Sequence, residues 1–367
     1  MVIRDFRYRD LGILDHKPPR PKGLHLSSRL FPSAGFASLL ISSGFSLSSQ
    51  RGTLIEMFPA WDPAQPEITD LIVQHDPRTL RRLPVRRQEL LEVFSRFRNR
   101  KALRAVLALP ANGRILDDRE IDVLLLTVHW EMQRLAEEFY HGHRVWELLR
   151  PVVASIRQAG NRETLRIVDV GCGIGYTTRW LAANIPVADH SLELIGMDLN
   201  SRLIVEANRL ASAERLPCRF LHGDAFSREH SSHILLSTGV IHHFRDNALL
   251  EFLRRHDQSE TQAFLHFDFR PWFLAPLGSL FFHYLRMRTA IARHDGVLST
   301  VRAHDARTLT EAARASAPGF AAGIYGAKIW NTPAPRVFHT LVGLRHKLVP
   351  ELRHQLGRYA SRLEELR

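Results

Sequence analysis

Only two cysteines, Cys172 and Cys218, occur in the 367 residues of this chain. No disulfide framework is therefore implied, and a reducing cytoplasm is its expected home. Long apolar runs are missing as well. Ala37–Leu47 is broken by Ser and Gly, and Asp268–Leu285 is interrupted by Pro276 and Gly278. Both fall short of the ~20 unbroken apolar residues of a membrane-spanning helix. The phosphate-cradling pattern G-x-x-x-x-G-K-[ST] is absent, which excludes that route to nucleotide binding. H-E-x-x-H is also absent, so His129, Glu131, Glu138, His141 and His143 read as charges on a solvated helix, and no metal site is expected.

Hydrophobic residues make up 45% of the chain, ample for a core, and the length allows one α/β domain with an added lobe. A net charge of +12 raises the possibility of a nucleic-acid partner. Much of the excess lies in Arg78, Arg81, Arg82, Arg86, Arg87, Arg96, Arg98, Arg100, Lys101 and Arg104, interleaved with Leu80, Leu83, Leu90, Leu91, Val93, Phe94 and Phe97. That interleaving fits amphipathic helix with a solvated basic face. Nucleic acid is therefore a possible partner and not the favoured one.

Four segments follow from the patterning. Residues 1–56 are rich in Ser, Gly, Pro and Arg with little periodicity, and are expected to be a disordered tail or an upstream extension of the true start. Residues 57–160 are helical in pattern, with helices expected near Arg86–Leu109, Asp117–Tyr140 and Arg144–Gln158, punctuated by Gly113 and Gly142. Residues 161–345 carry alternating strand and helix signals with an apolar insert at about 270–300, in which Arg293–Arg302 reads as a polar turn. Residues 346–367 are expected to be a C-terminal helix.

Strand, turn and helix meet at Val168-Asp169-Val170-Gly171-Cys172-Gly173-Ile174-Gly175. Glycine tolerates positive φ and has no Cβ, so the chain can reverse there and offer backbone to a ligand. A dinucleotide fingerprint would place its third glycine one position later. Tyr176 stands there, which argues against NAD or FAD. Further strands end in Asp198, about 20 residues beyond the turn and suited to a ribose, in Asp224, and in Thr238, which leads into Gly239-Val240-Ile241-His242-His243-Phe244. Between them, Ser201–Ala213 reads as a helix with Ser201 near its cap.

These ordered strand ends resemble the class I, Rossmann-like, S-adenosylmethionine-dependent methyltransferases, in particular the small-molecule type found in quinone biosynthesis. The resemblance implies an α/β fold with a doubly wound, seven-stranded, mostly parallel sheet, here beside an N-terminal helical lobe. It implies S-adenosylmethionine held by Asp169, Gly171, Gly173, Gly175, Asp198, Leu199, Asp224, Ala225 and Thr238. Ile324–Trp330 and Val337–Leu344 are then the closing antiparallel strands. In resembling enzymes the helical segment lids the cofactor, so Trp130, Phe139, Tyr140 and Trp146 are expected at the acceptor.

Methyl transfer from a sulfonium needs chiefly proximity and orientation. A base is required where the acceptor must lose a proton, and His243, then His242, are the candidates. Strand four ends in Ser237-Thr238-Gly239, unlike the Asn/Asp-Pro-Pro-aromatic clamp of amino-directed nucleic-acid enzymes, and no catalytic cysteine motif of the cytosine-C5 type occurs. The expectation is an enzyme that methylates O or C of a small, hydrophobic or aromatic acceptor. An RNA methyltransferase and a non-enzymatic cofactor-binding module stand as the alternatives.

Overall fold

The computed structural model describes residues 62–185, 191–226, 231–258, 260–326 and 337–364, all in one unit spanning Leu54–Arg367. The segment 1–56 lies outside the described residues. Eight strands form the main sheet: β1 (Leu165–Val170), β2 (Leu192–Asp198), β3 (Cys218–His222), β4 (Ile234–Thr238), β5 (Ala263–Phe269), β6 (Phe320–Tyr325), β7 (Phe338–Arg345) and β8 (Leu363–Glu364). Their spatial order is β8-β6-β7-β5-β4-β1-β2-β3. β1 to β5 run parallel, whereas β7 pairs antiparallel with both β5 and β6. This is the expected mostly parallel sheet, with the two-residue β8 added at one edge.

The central strands are mostly apolar because both faces are covered. One face packs on α5 (His141–Gln158) and α12 (Val349–Leu356) through Leu148, Val152, Leu265 and Leu352. The other packs on α8 (Asp246–Arg254) and α11 (Ala306–Ser316) through Phe252, Leu309 and Phe264. Truncating a fully buried ring such as Phe264 would cost about 3–5 kcal/mol, since a packed core collapses only partly onto the hole. Strand order reverses between β1 and β4, so the C-terminal ends of these strands form the crevice in which such sheets bind ligands.

A separate apolar core joins the N-terminal lobe to the insert. Its helices are α1 (Ile68–Ile72), α2 (Arg87–Arg96), α3 (Arg100–Leu107) and α4 (Asp118–Glu138) from the lobe, with α9 (Ala275–Arg286) and α10 (Ala290–Arg302) from the insert. Ile68, Phe94, Val106 and Ile121 meet Met287 and Ile291 there. The expected helix at Arg86–Leu109 is two helices, because Arg98 takes φ 51° and the Asn99 side chain accepts from Lys101 N and Ala102 N to start the second. Most basic side chains of this stretch are exposed, whereas Arg82, held by Asp118 and Asp122, and Arg87, which donates to Leu109 O, are half-buried.

Several expectations are corrected by packing. Arg293–Arg302 is not a turn but the body of α10, capped by Thr289 and turned inward through Val297 and Leu298. Glu131, expected on a solvated face, is buried and accepts from Arg288 N and Thr289 Oγ1, tying α4 to the start of α10. Gly142 does not interrupt a helix; it sits inside α5, where a Cβ would stand 2.2 Å from the Trp180 ring. The cap of α7 (Ser201–Ala213) is Asn200, and the C-terminal helix ends at Leu356 before a 3₁₀ turn and β8. Of the expected Ile324–Trp330 strand, only the start belongs to β6, and residues 327–330 lie outside the described set. No helix among the described residues is long and apolar enough to cross a membrane.

Candidate functional site

β1 is buried and delivers the glycine turn to the crevice. Gly171, Gly173 and Gly175 adopt φ of 67°, 56° and 77°, the left-handed region that glycine enters at no steric cost. Gly171 N and Cys172 N donate to Met197 O, and Gly173 N donates to Asp198 Oδ2 at 2.9 Å, so the turn is bound to the end of β2. Space around it is tight. A Cβ on Gly173 would stand 2.6 Å from His129 of α4, and one on Gly171 2.7 Å from Val240.

Over this turn lies a cavity of about 460 Å³, within the range of small-molecule sites. Gly171, Gly173, Asp198, Leu199, Asp224, Ala225 and Thr238 line it, as does the His242-His243 pair. Asp169 and Gly175, expected to touch cofactor, do not line it. Gly175 faces the Phe220 ring at the back of the turn, where a Cβ would come within 2.2 Å. Asp169 is buried and accepts from Thr178 Oγ1 at 2.8 Å, while burial pushes its carboxyl up to about 7. Both therefore shape the turn from behind. Cys172 lines the cavity, and desolvation together with the Asp198 charge holds its thiol well above the ordinary range.

The lobe supplies other walls than those foreseen. Val128, Met132, Leu135 and Ala136 of α4 line the cavity, along with His141, Arg144 and Val145 of α5. Trp130, one helical face away, packs against Ile174 and Leu203; Trp146 packs on the sheet core; Phe139 stacks on Phe282 and Phe338. Tyr140 is exposed. Trp130, Phe139, Tyr140 and Trp146 thus stand on or beside helices that border the cavity and are not among the residues that line it.

The histidine pair sits on a 3₁₀ turn, Ile241–His243, just past β4. His242 is buried; its Nδ1 lies 2.8 Å from Asp268 Oδ1, its backbone N donates to Asp268 Oδ2, and its Nε2 lies 3.4 Å from Glu67 Oε1. Burial alone would depress this imidazole, but the charges of Asp268 and Glu67 outweigh it and raise the pKa to about 10. Burial would likewise raise Asp268, and the His242 charge brings it down to about 2. His242 is thus held as an imidazolium between two carboxylates and is poorly suited to accept a proton.

His243 differs. It is partly exposed and lines the cavity; its Nδ1 lies 2.6 Å from Asp70 Oδ1 and its Nε2 4.0 Å from Glu67 Oε2. Asp70 also accepts from Arg302 Nη1 at 2.5 Å and from Glu67 N. Burial opposes the charge of Asp70, but the bond to His243 and the nearby Arg302 hold it well below the usual carboxylate range. Arg302 Nη2 in turn donates to His243 O, so one guanidinium fixes both members of the pair.

Glu67 and Asp70 carried no signal in the sequence, because a five-residue helix far from the sheet shows no motif. Asp268 did carry one: it is a further carboxylate at the C-terminal end of a central strand. Glu67, His242 and His243 also place one ligand atom each within 4.8 Å of one another, a donor set that suits a divalent cation although the sequence pattern suggested no metal. His242 Nε2 and His243 Nε2 lie 3.4 and 4.0 Å from the Glu67 carboxylate, and His242 Nε2 has no hydrogen-bond partner among the described residues.

Residues 167–258 match a protein family described as a methyltransferase domain. No curated protein matches by sequence. Similar solved structures include an S-adenosylmethionine-dependent methyltransferase from Aquifex aeolicus, at 11% identity and a TM-score of 0.36 over 55% of this chain and 92% of that one. They also include the magnesium protoporphyrin IX methyltransferase of Synechocystis PCC 6803 with bound SAH, at 15% identity and 0.38 over 69% and 99%. A plantazolicin methyltransferase in complex with a triazolic desmethylPZN analog and SAH is similar at 13% identity and a TM-score of 0.40 over 62% and 97%. Within the matched segment, Asp198 closes β2 and Asp224 lies two residues past β3, both on the wall of one cavity beside a turn open to backbone contact, a set that suits a nucleoside cofactor such as S-adenosylmethionine.

Proposed function

We propose that this chain transfers the methyl group of S-adenosylmethionine to an ionisable oxygen, or to an adjacent carbon, of a small apolar or aromatic acceptor. Asp198 and Asp224 are the residues for the ribose and the adenine amino group, with Leu199 and Ala225 beside the base. One observation carries the reading: the cavity that the glycine turn lines is also lined by Phe267, Phe269, Phe338, Leu135 and Met132, and by His243, so that an apolar acceptor chamber beside the turn and the histidine is the arrangement we infer. An apolar chamber of this kind favours a ligand whose own surface is apolar, with few polar groups to fix its orientation.

When bound, the cofactor supplies an activated methyl group and a neutral thioether leaving group. The protein's part is positioning, worth roughly 7–11 kcal/mol of a barrier when reacting atoms are held in line. His243 takes the acceptor proton on Nε2, and Asp70 holds its Nδ1–H and stabilises the imidazolium that forms. A base so placed contributes about 10²–10⁴ in rate. His242 serves as a fixed positive charge beside it, balanced by Asp268 and Glu67.

The test is transfer of labelled methyl from the cofactor to a panel of phenols, hydroxylated heteroaromatics and β-dicarbonyl compounds, read by mass spectrometry. Methylation of a panel member that is lost in His243→Ala while cofactor affinity is retained supports the reading. Cofactor binding unchanged in Asp198→Ala overturns the cofactor map.

A further inference from the structure

Helix α9 is built inside out. Its buried residues are Pro276 and His283, the latter bonded to Ser279 and pressed against Gly296, whereas Phe281, Tyr284 and Leu285 are 69%, 68% and 62% exposed. Leu277 shares their helical face, and Trp272 precedes the helix, both also exposed. Water-exposed aromatic and aliphatic side chains grouped on one helix face mark a surface that meets a partner.

The charge around that face is of one sign. From Arg270 to Arg302 the sole carboxylate is Asp295, which is buried, while Arg286, Arg288 and Arg293 are exposed. The Arg293 guanidinium lies 5.2 Å from the Tyr284 ring centre, and Glu138, the neighbouring acid, is paired with Arg286 at 2.6 Å. The inner side of the same segment closes the cavity through His283 and Met287.

We propose that the exposed face of α9 docks on an anionic lipid bilayer, with the helix in the plane of the interface. Trp and Tyr suit the boundary between headgroup and acyl chain, arginine stems extend along it with their charges in the headgroup layer, and the overall charge of +12 adds attraction to anionic lipid. Docking in this way would set the chamber against the bilayer, so that an apolar acceptor passes into it without crossing water. That last consequence rests on the reading of the chamber as the acceptor site; the docking itself does not.

The test is co-sedimentation of the full chain with vesicles of phosphatidylcholine alone and of phosphatidylcholine mixed with phosphatidylserine. The wild type is expected to bind the mixed vesicles and to be released by salt. Phe281→Ser/Leu285→Ser is expected to bind them at least about tenfold more weakly, as befits the loss of two buried apolar side chains, with cofactor affinity unchanged as the check that it folds. Three outcomes overturn the proposal: a wild type that stays in the supernatant, a variant that sediments equally well, or a dimer in light scattering that the same substitutions dissolve. The last would mean that a second copy covers the face. Failure of vesicle binding with methyl transfer intact would leave the proposed function standing.

Discussion

His243 Nδ1 lies 2.6 Å from Asp70 Oδ1, although the two residues are 173 positions apart in the chain. One belongs to the sheet domain and the other to a short helix of the N-terminal lobe, so the proposed base is complete only when the lobe is docked. His243→Ala is expected to lower kcat by about 10²-fold or more and to leave cofactor affinity unchanged. Asp70→Asn should lower kcat less, roughly tenfold or more, because the ring loses its anionic partner and keeps its Nε2. Measured kcat and cofactor Kd for both variants check this, and an equal kcat in all three proteins would sink the assignment.

Asp198 holds the turn through Gly173 N and faces the cavity. Replacing it by Ala removes an ionised acceptor, an interaction worth about 1.5–3 kcal/mol. Calorimetric titration with the cofactor should therefore show Kd raised by about 10- to 100-fold, by the usual conversion.

Gly173→Ala meets two obstacles, a φ of 56° and a Cβ 2.6 Å from the His129 ring. The backbone alone costs on the order of 1 kcal/mol, and the clash adds to it. A lowered melting temperature and weakened cofactor binding are expected. Adding His129→Ala should recover the steric part and not the backbone part; no recovery at all would show that His129 yields freely.

Asp169 gives a pH dependence with a defined sign. Burial raises its folded pKa to about 7 from an ordinary 3.8, so the folded state retains the proton more tightly than the unfolded one. Its contribution is fully present below about pH 4 and is lost as pH rises through about 7. Asp169→Asn cannot ionise. Urea denaturation at pH 5 and pH 8 should show the wild type losing stability relative to the variant across this interval, by at most about 3 kcal/mol. A constant difference between the two would remove the raised pKa.

The Glu67–His242–His243 cluster separates acid–base work from metal work in one measurement. With His242 held as an imidazolium, treatment with a chelator should leave methyl transfer unchanged, and metal analysis of the purified chain should find no stoichiometric ion. Activity lost to the chelator and restored by one divalent cation would reassign these three residues as ligands.

The order of strand, turn and helix from Leu165 to Phe244 was legible in the sequence, because each step has a short-range cause. Apolar runs bury on both faces, glycines permit positive φ, and a carboxylate at a strand end falls at the crevice. From this alone Gly171, Gly173, Asp198 and Asp224 could be brought to one crevice, and they line one cavity. The motif could not show that Asp169 and Gly175 stand behind the turn, since which side of it is open depends on Phe220 and Thr178.

What only the tertiary structure decided is everything that crosses from the lobe to the sheet. Glu67 and Asp70 reach the histidines, Arg302 clamps Asp70, and Glu131 starts α10, each through pairs more than 150 positions apart. Helical periodicity says that a face is apolar, not which partner it meets, which is why α4 turned Met132 and Leu135 to the chamber and Trp130 away from it. The sequence by itself determined the glycine turn and the carboxylates that follow it near the strand ends, because each has a short-range cause. The meeting of two packed cores, one on the sheet and one joining lobe to insert, determined the walls of the cavity and the partners of each histidine.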